Sequence, residues 1–227
     1  MGDTRLPLFA LADVVHFPRT HLRLQVDEPH HRRLVRELSA REEEERRLGM
    51  VLLKPGWGRA GEGHPEIFPG GTAARIVDAE FLASGRRANV LLYGEFRFRV
   101  TGEVAHDPWR EGLVRPVFDP PLNEDDAGIQ VVRRAVLALA HSLAEELRER
   151  FPLGAEELEE LGERCGFEEL INRIAAELDL PVLRKLQLLS DAVPERALSV
   201  LATLRSRRQV IELLRPYRHL AAKSDQN

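Results

Sequence analysis

Two periods divide this chain. Up to about residue 120 apolar positions come in short runs broken by proline, glycine and charge; beyond residue 127 they recur at helical spacing. Leu22-Arg23-Leu24-Gln25-Val26 alternates strictly, as a half-buried strand does. Leu48–Leu53, Ala73–Ala83, Asn89–Tyr93, Phe96–Ala105 and Leu113–Phe118 predict further strands, separated by Ser84-Gly85-Arg86, Gly94 and Asp107-Pro108. Leu6–Phe9 and Val14–Phe17 are shorter. Pro7 and Pro18 interrupt them and, lacking the ladder donor, place them at strand starts, edges or bulges. Asp27 is set to cap a helix with Pro29 in its first turn and Leu34, Val35 and Leu38 on one side. That helix runs into the charged stretch 41–47, read as a solvated face. Residues 54–71, rich in glycine and proline, predict one long loop, the kind of segment that often carries function. Short strands at regular spacing predict a barrel or sandwich.

The second half changes period after a Pro- and acid-rich linker at 121–126. Ile129, Val132, Val136, Leu139, Leu143 and Leu147 lie on one helical stripe, and Phe167, Leu170, Ile171, Ile174, Ala175 and Leu178 on another. Pro181 stops the second, Leu183, Leu186 and Leu189 mark a short helix, and Pro194 opens a last one. The expected fold class is therefore α+β: a β-barrel-like domain with one helix over 1–120, a helical bundle over 127–216, and a frayed polar tail over 217–227.

Hydrophobic residues make up 43% of the 227 and charged residues 31%, a globular balance. Net charge is −4, and the first 120 residues carry 18 charges of each sign. Neither half is basic enough to make nucleic acid the default partner, since that affinity rests on neutralising phosphates. No apolar run approaches the roughly 18–20 residues of a membrane span. The start lacks the build of a signal peptide, and the single cysteine, Cys165, excludes a disulfide within the chain. A cytoplasmic protein is expected.

Catalytic motifs are missing. No lysine follows a glycine, which excludes a phosphate-cradling P-loop, and no Gly-x-Ser-x-Gly occurs. Glu156–Glu163 fits a solvated helix face, and Cys165 has no neighbouring histidine to activate it. His30-His31 is the only histidine pair; adjacent helical residues point about 100° apart, unlike the i, i+4 pairs that chelate metal. No cofactor, no metal and no enzymatic activity are expected.

Several stretches, in order, carry a resemblance: Leu6-Pro7-Leu8-Phe9, Val14–Pro18, Glu28-Pro29 with Arg32 and Leu34, Gly71–Ile76, Gly85-Arg86, Asn89-Val90-Leu91, Gly94, Arg97–Val100, and Asp107-Pro108-Trp109. Together they resemble the N-terminal domain family of Lon proteases. The helical half resembles it more loosely, through Lys185-Leu186, Leu188-Leu189 and Pro194-Glu195-Arg196. Arg19 departs from the family, which usually has glycine there, and His30-His31 stand where Arg-Tyr is common. The resemblance implies a PUA-like β domain, and a non-catalytic module that binds unfolded or extended polypeptide in exposed apolar patches and at a strand edge. A separate protease or chaperone is an implied partner. The family's ATPase and peptidase modules would follow this domain, and the chain is expected to end before them.

The candidate contact surface is Phe17, Pro18, Arg19, His30, His31, and Trp57 and Phe68 of the 54–70 segment. Phe17-Pro18 and Trp109 have an alternative reading as core and turn residues. An RNA-binding PUA-like protein is the rival function; its basic patch would be Arg86, Arg87, Arg97 and Arg99, whereas structural pairing with acids is the other reading of Arg97 and Arg99.

Overall fold

A computed structural model describes residues 2–56, 65–82, 86–105, 107, 109–147 and 151–217. Trp57, Gly85, Pro108 and the tail beyond Tyr217 lie outside the described residues. Six strands, β1 (Thr4–Leu11), β2 (His21–Val26), β3 (Arg47–Leu53), β4 (Ile67–Phe81), β5 (Ala88–Ala105) and β6 (Glu111–Val117), form one sheet in the order β2-β5-β4-β3-β1-β6. β6 also pairs with β5, so five strands close into a ring and β2 stands outside it. Only β1 and β3 are parallel.

The two long strands make this possible. The first half of β5, Ala88–Tyr93, pairs with β2, and its second half, from Arg97 on, pairs with β6. Where β4 pairs with β5 the register shifts twice: Glu95 is the extra residue in β5 opposite Ala73 and Ala74, and Val77 the extra residue in β4 between Ile76 and Asp78, and such bulges bend a strand. The side chains split accordingly into two cores. Leu6, Leu8, Val51, Ala73, Phe98 and Val114 form one cluster. Phe9, Val26, Leu48, Met50, Ile76, Val90 and Leu92 form the other with Leu34, Val35 and Leu38 of α1 (Pro29–Ser39).

Several expectations are corrected. Gly94 does not end a strand: the two predicted strands around it are one, β5. Nor is Gly71 a loop residue, because β4 begins at Ile67 and takes in Pro69, Gly70 and Gly71. Neither glycine has positive φ. Both serve close approach instead. A Cβ on Gly71 would meet the Met50 carbonyl oxygen at 2.3 Å and the Phe98 ring at 2.8 Å. A Cβ on Gly94 would meet the Phe17 carbonyl oxygen at 2.3 Å. Val14–Phe17 is not a strand. The N-cap of α1 is Glu28 rather than Asp27, with Pro29 as the first helical residue. The helix stops at Ser39, and Glu43–Glu45 form a separate exposed 3-10 turn.

The helices are α2 (Ala127–Leu147), α3 (Ala155–Arg164), α4 (Phe167–Glu177), α5 (Val182–Ser190) and α6 (Val193–Leu214). None of the described helices is long and apolar enough to cross a membrane. The chain divides into two compact units, Met1–Pro120 with Leu178–Ala192, and Pro121–Glu177 with Val193–Asn227. The sequence reading runs one bundle through 127–216, but α5 belongs with the sheet. The reason is Arg97 of β5, whose Nη1 donates to the carbonyl oxygens of Leu189 (2.9 Å), Ser190 (3.2 Å) and Asp191 (2.9 Å). A cation there meets the unsatisfied carbonyls and the negative end of the helix dipole.

In the second unit the α4 stripe is buried through Phe167, Leu170, Ile171, Ile174 and Ala175. On α2 only Val136 and Leu143 of the stripe are buried, and Ile129, Val132, Leu139 and Leu147 are half-buried. On α6 Leu201 and Leu204 are buried but Leu198 and Leu214 are exposed. Glu156, Glu159, Glu160 and Glu163 are exposed while Leu158 and Leu161 of the same helix are buried, so the acidic run is a solvated face. Glu124 Oε1 accepts from the Phe167 backbone N–H at 2.9 Å, tying the linker to the start of α4. Arg196 is fully buried and donates to Asn172 Oδ1.

Candidate functional site

β2 is hydrogen-bonded on one side only, to β5; among the described residues its other edge has no strand partner. Backbone N–H and C=O groups on such an edge can still accept a strand. Its side chains alternate as the sequence foretold: His21, Arg23 and Gln25 are exposed, Leu22 and Leu24 half-buried, and Val26 buried. Beside it lies a cleft of about 230 Å³. Phe9, Leu11, Val14, Leu24 and Val26 supply its apolar lining, and Asp13, Asp27 and Glu28 its charges; among the described residues no lysine or arginine lines it. A wider depression of about 420 Å³ is lined by Arg23 and Gln25 of β2, Asn89 and Leu91 of β5, and Asp78 and Glu80 of β4.

His31 reaches the cleft from the first turn of α1. Its ring is buried and stacks on Phe9, with centroids 4.0 Å apart and planes 16° apart. Its Nδ1 stands 3.0 Å from Glu28 Oε2, and His30 Nε2 stands 3.3 Å from the same oxygen. Burial, helped by neighbouring His30, lowers the His31 pKa to about 3, so the ring is neutral at pH 7 and its Nδ1–H donates to the carboxylate. Adjacency on a helix points two side chains apart at the Cα, yet these two rings lie 4.1 Å centroid to centroid. Both turn toward Glu28, which lies outside the helix and so outside the reasoning from helical spacing.

The remaining candidates lie elsewhere. Phe17 and Pro18 are buried, and Arg19 is exposed with φ 58°. That left-handed conformation accounts for the glycine usual at this position in the family that the sequence resembles. The turn is stapled to the sheet: Arg19 N–H donates to Gly94 O (2.8 Å), Gly94 N–H to Thr20 O (3.0 Å), and Thr72 Oγ1 to His16 O (2.6 Å). None of Phe17, Pro18 and Arg19 lines the cleft. Phe68 is half-buried in β4, and Trp57 lies outside the described residues. The structure thus brings His30 and His31 together at the cleft edge. It also adds Asp13, Val14, Leu24 and Glu28, which composition and periodicity had not singled out.

Of the candidate basic patch, Arg86 and Arg87 are exposed and Arg97 is committed. Arg97 is buried and its Nη2 donates to both oxygens of Asp119 at 2.7 Å. Arg97 is therefore not available to a phosphate, while Arg99 is exposed.

His16, beneath the stapled turn, sets a pH dependence. Its Nε2 lies 3.0 Å from the Thr20 carbonyl oxygen and so carries the proton, while its buried Nδ1 has no partner. Burial lowers its pKa to about 4 against an ordinary 6.5, with the Thr20 hydrogen bond opposing. The unfolded chain takes up the proton more readily, so stability present above pH 6.5 is lost as pH falls toward 4. By pH 5 the loss from His16 should be about 2 kcal/mol. Urea midpoints from pH 7.5 to 4.5 check this. The His16→Gln variant should show a shallower acid limb, and identical limbs would assign the acid sensitivity elsewhere.

A family model described as the ATP-dependent protease La (LON) substrate-binding domain matches residues 5–205. The fold is similar to that of a Lon N-terminal domain protein from Xanthomonas campestris, with a TM-score of 0.59 and 24% identity over 88% of this chain and 98% of that one. It is similar also to the N-terminal domain of the Mycobacterium avium complex Lon protease, with a TM-score of 0.63 and 16% identity over 89% and 98%. A search of curated protein sequences gave no match.

Proposed function

The chain belongs to the ATP-dependent protease La (LON) substrate-binding domain family, and on that premise we propose that it is a non-catalytic module holding extended polypeptide along the free edge of β2. The observation that carries this is the pairing of an open strand edge with a cleft that β2 itself lines, half apolar and half acidic or polar. In strand addition the main chain supplies affinity that is indifferent to sequence, and pockets select alternate side chains. Those are the requirements for recognising many unfolded chains. Six residues of β2 offer about 20 Å of edge, at roughly 3.3 Å per residue. Asp13, Asp27 and Glu28 favour segments whose apolar residues are flanked by lysine or arginine.

Two facts support the non-catalytic part. The carboxylates at the cleft are exposed, and the thiol of Cys165 is pushed up by burial and by Glu169, away from the nucleophilic thiolate. A cytoplasmic location, and a separate protease or chaperone that takes over the held segment, complete the proposal.

The test uses a fluorescein-labelled peptide of alternating leucine and lysine, titrated with the protein and followed by anisotropy. A copy N-methylated at alternate backbone nitrogens keeps every side chain but loses the donors that pair with an edge. It should bind at least tenfold more weakly, about 1.4 kcal/mol. Equal affinity for the two peptides would rule out strand addition. Turnover of ATP or of the peptide by the purified chain would contradict the non-catalytic reading.

A further inference from the structure

Glu28, His30 and His31 offer one oxygen and two nitrogens that all lie within 4.8 Å of one another. The two measured separations from Glu28 Oε2 are 3.3 Å to His30 Nε2 and 3.0 Å to His31 Nδ1. A tetrahedral ion with bonds of about 2.0–2.1 Å holds its ligand atoms about 3.3–3.4 Å apart. Two of the three separations therefore already stand near the edge lengths such an ion imposes, and the third, between the two imidazole nitrogens, lies within 4.8 Å and closes by side-chain rotation. We propose that Glu28, His30 and His31 form a binding site for a borderline-soft divalent cation such as Zn²⁺, with a fourth position open to water.

The site is pre-organised from below. His31 is only 5% exposed, and its ring is clamped against Phe9. Pro29, with its fixed φ, separates the carboxylate from the two imidazoles and holds Glu28 at the mouth of the helix. Without an ion, a single proton on His31 Nδ1 bridges to Glu28; with the ion bound at Nδ1, the ring stays neutral as its other tautomer, with that proton on Nε2. Two imidazoles against one carboxylate favour Zn²⁺, Co²⁺ or Ni²⁺ over Mg²⁺ and Ca²⁺, which prefer oxygen. The positive end of the α1 dipole opposes a cation here. The carboxylates of Glu28 and of Asp27, its neighbour in the cleft lining, act against that opposition. Glu28 and His31 both line the cleft at β2, so the ion would change the charge at its rim.

This inference does not depend on polypeptide binding and is tested with the metal alone. Zn²⁺ titrated calorimetrically into the full chain should bind with one equivalent, and Co²⁺ should give the visible absorption of a four-coordinate complex. Mg²⁺ should give neither. His30 and Glu28 are exposed, so His30→Ala and Glu28→Gln should leave the far-ultraviolet circular dichroism unchanged. Each should weaken Zn²⁺ binding at least tenfold and abolish the cobalt spectrum. Absence of a Zn²⁺ equivalent, or equal binding by both variants, would overturn the assignment.

Discussion

Replacing Arg97 by methionine should lower the unfolding free energy by about 3–5 kcal/mol, the cost of breaking a buried ion pair from one side. Methionine keeps an apolar stem of similar length, so the loss isolates the guanidinium. What it abandons is specific. Asp119, whose side chain is 15% exposed, loses a two-pronged partner at 2.7 Å. The carbonyl oxygens of Leu189, Ser190 and Asp191 lose the donor that closes the end of α5. A carboxylate held at 15% exposure and stripped of its cation carries a desolvation penalty. Urea unfolding of the two proteins measures the total. Hydrogen exchange adds a signature that a diffuse loss of stability would not give, since the amides of α5 should lose protection ahead of β3. A change below about 1 kcal/mol would mean the pair contributes little more than a surface bridge.

Gly94→Ala should cost about 3 kcal/mol, although it adds one methyl group to a strand whose φ is unremarkable there. The methyl carbon would stand 2.3 Å from the Phe17 carbonyl oxygen and 3.1 Å from Pro18 Cα. Backbone atoms cannot swing aside as a side chain does, so the turn at 17–20 must move as a whole. In doing so it lengthens the two backbone hydrogen bonds between Gly94 and the turn. A thermal melt reads the effect as a fall in Tm, and Gly102→Ala is the control. Gly102 lies in the same strand, and a Cβ there meets nothing nearer than 3.9 Å. Equal losses at the two positions would show that the cost comes from glycine as such and not from the approach of the turn.

What the amino-acid pattern makes visible is what depends on local period. The alternation at 22–26 marks β2 within one residue, and the stripe at 167–178 marks α4. The resemblance to the Lon N-terminal family supplies the overall fold. Pattern fails where a distant contact decides. Gly94 reads as a break because glycine usually ends strands, and only the turn lying on it explains its place inside β5. Pro69, Gly70 and Gly71 read as loop, but the Phe98 ring and β3 demand a residue without a side chain at 71. The role of Arg97 depends on a helix end some ninety residues away. The cleft is less legible still. Alternation shows that β2 has a wet face and a dry face, but not which of its edges stays open. That follows from the closure of β5 onto β6, a pairing that no local pattern encodes. The link of Glu28 to His30 and His31 is hidden for a related reason, since helical spacing says nothing of a residue outside the helix.

In the proposed function the free edge of β2 receives an extended chain. Hydrogen exchange across residues 21–26, with and without saturating amounts of a reduced and alkylated, permanently unfolded polypeptide, tests it most directly. Alternate amides of β2 that face away from β5 should exchange at least tenfold more slowly in the complex, with β3 unchanged. Saturable binding that leaves every β2 amide exchanging at its free rate would exclude strand addition at this edge.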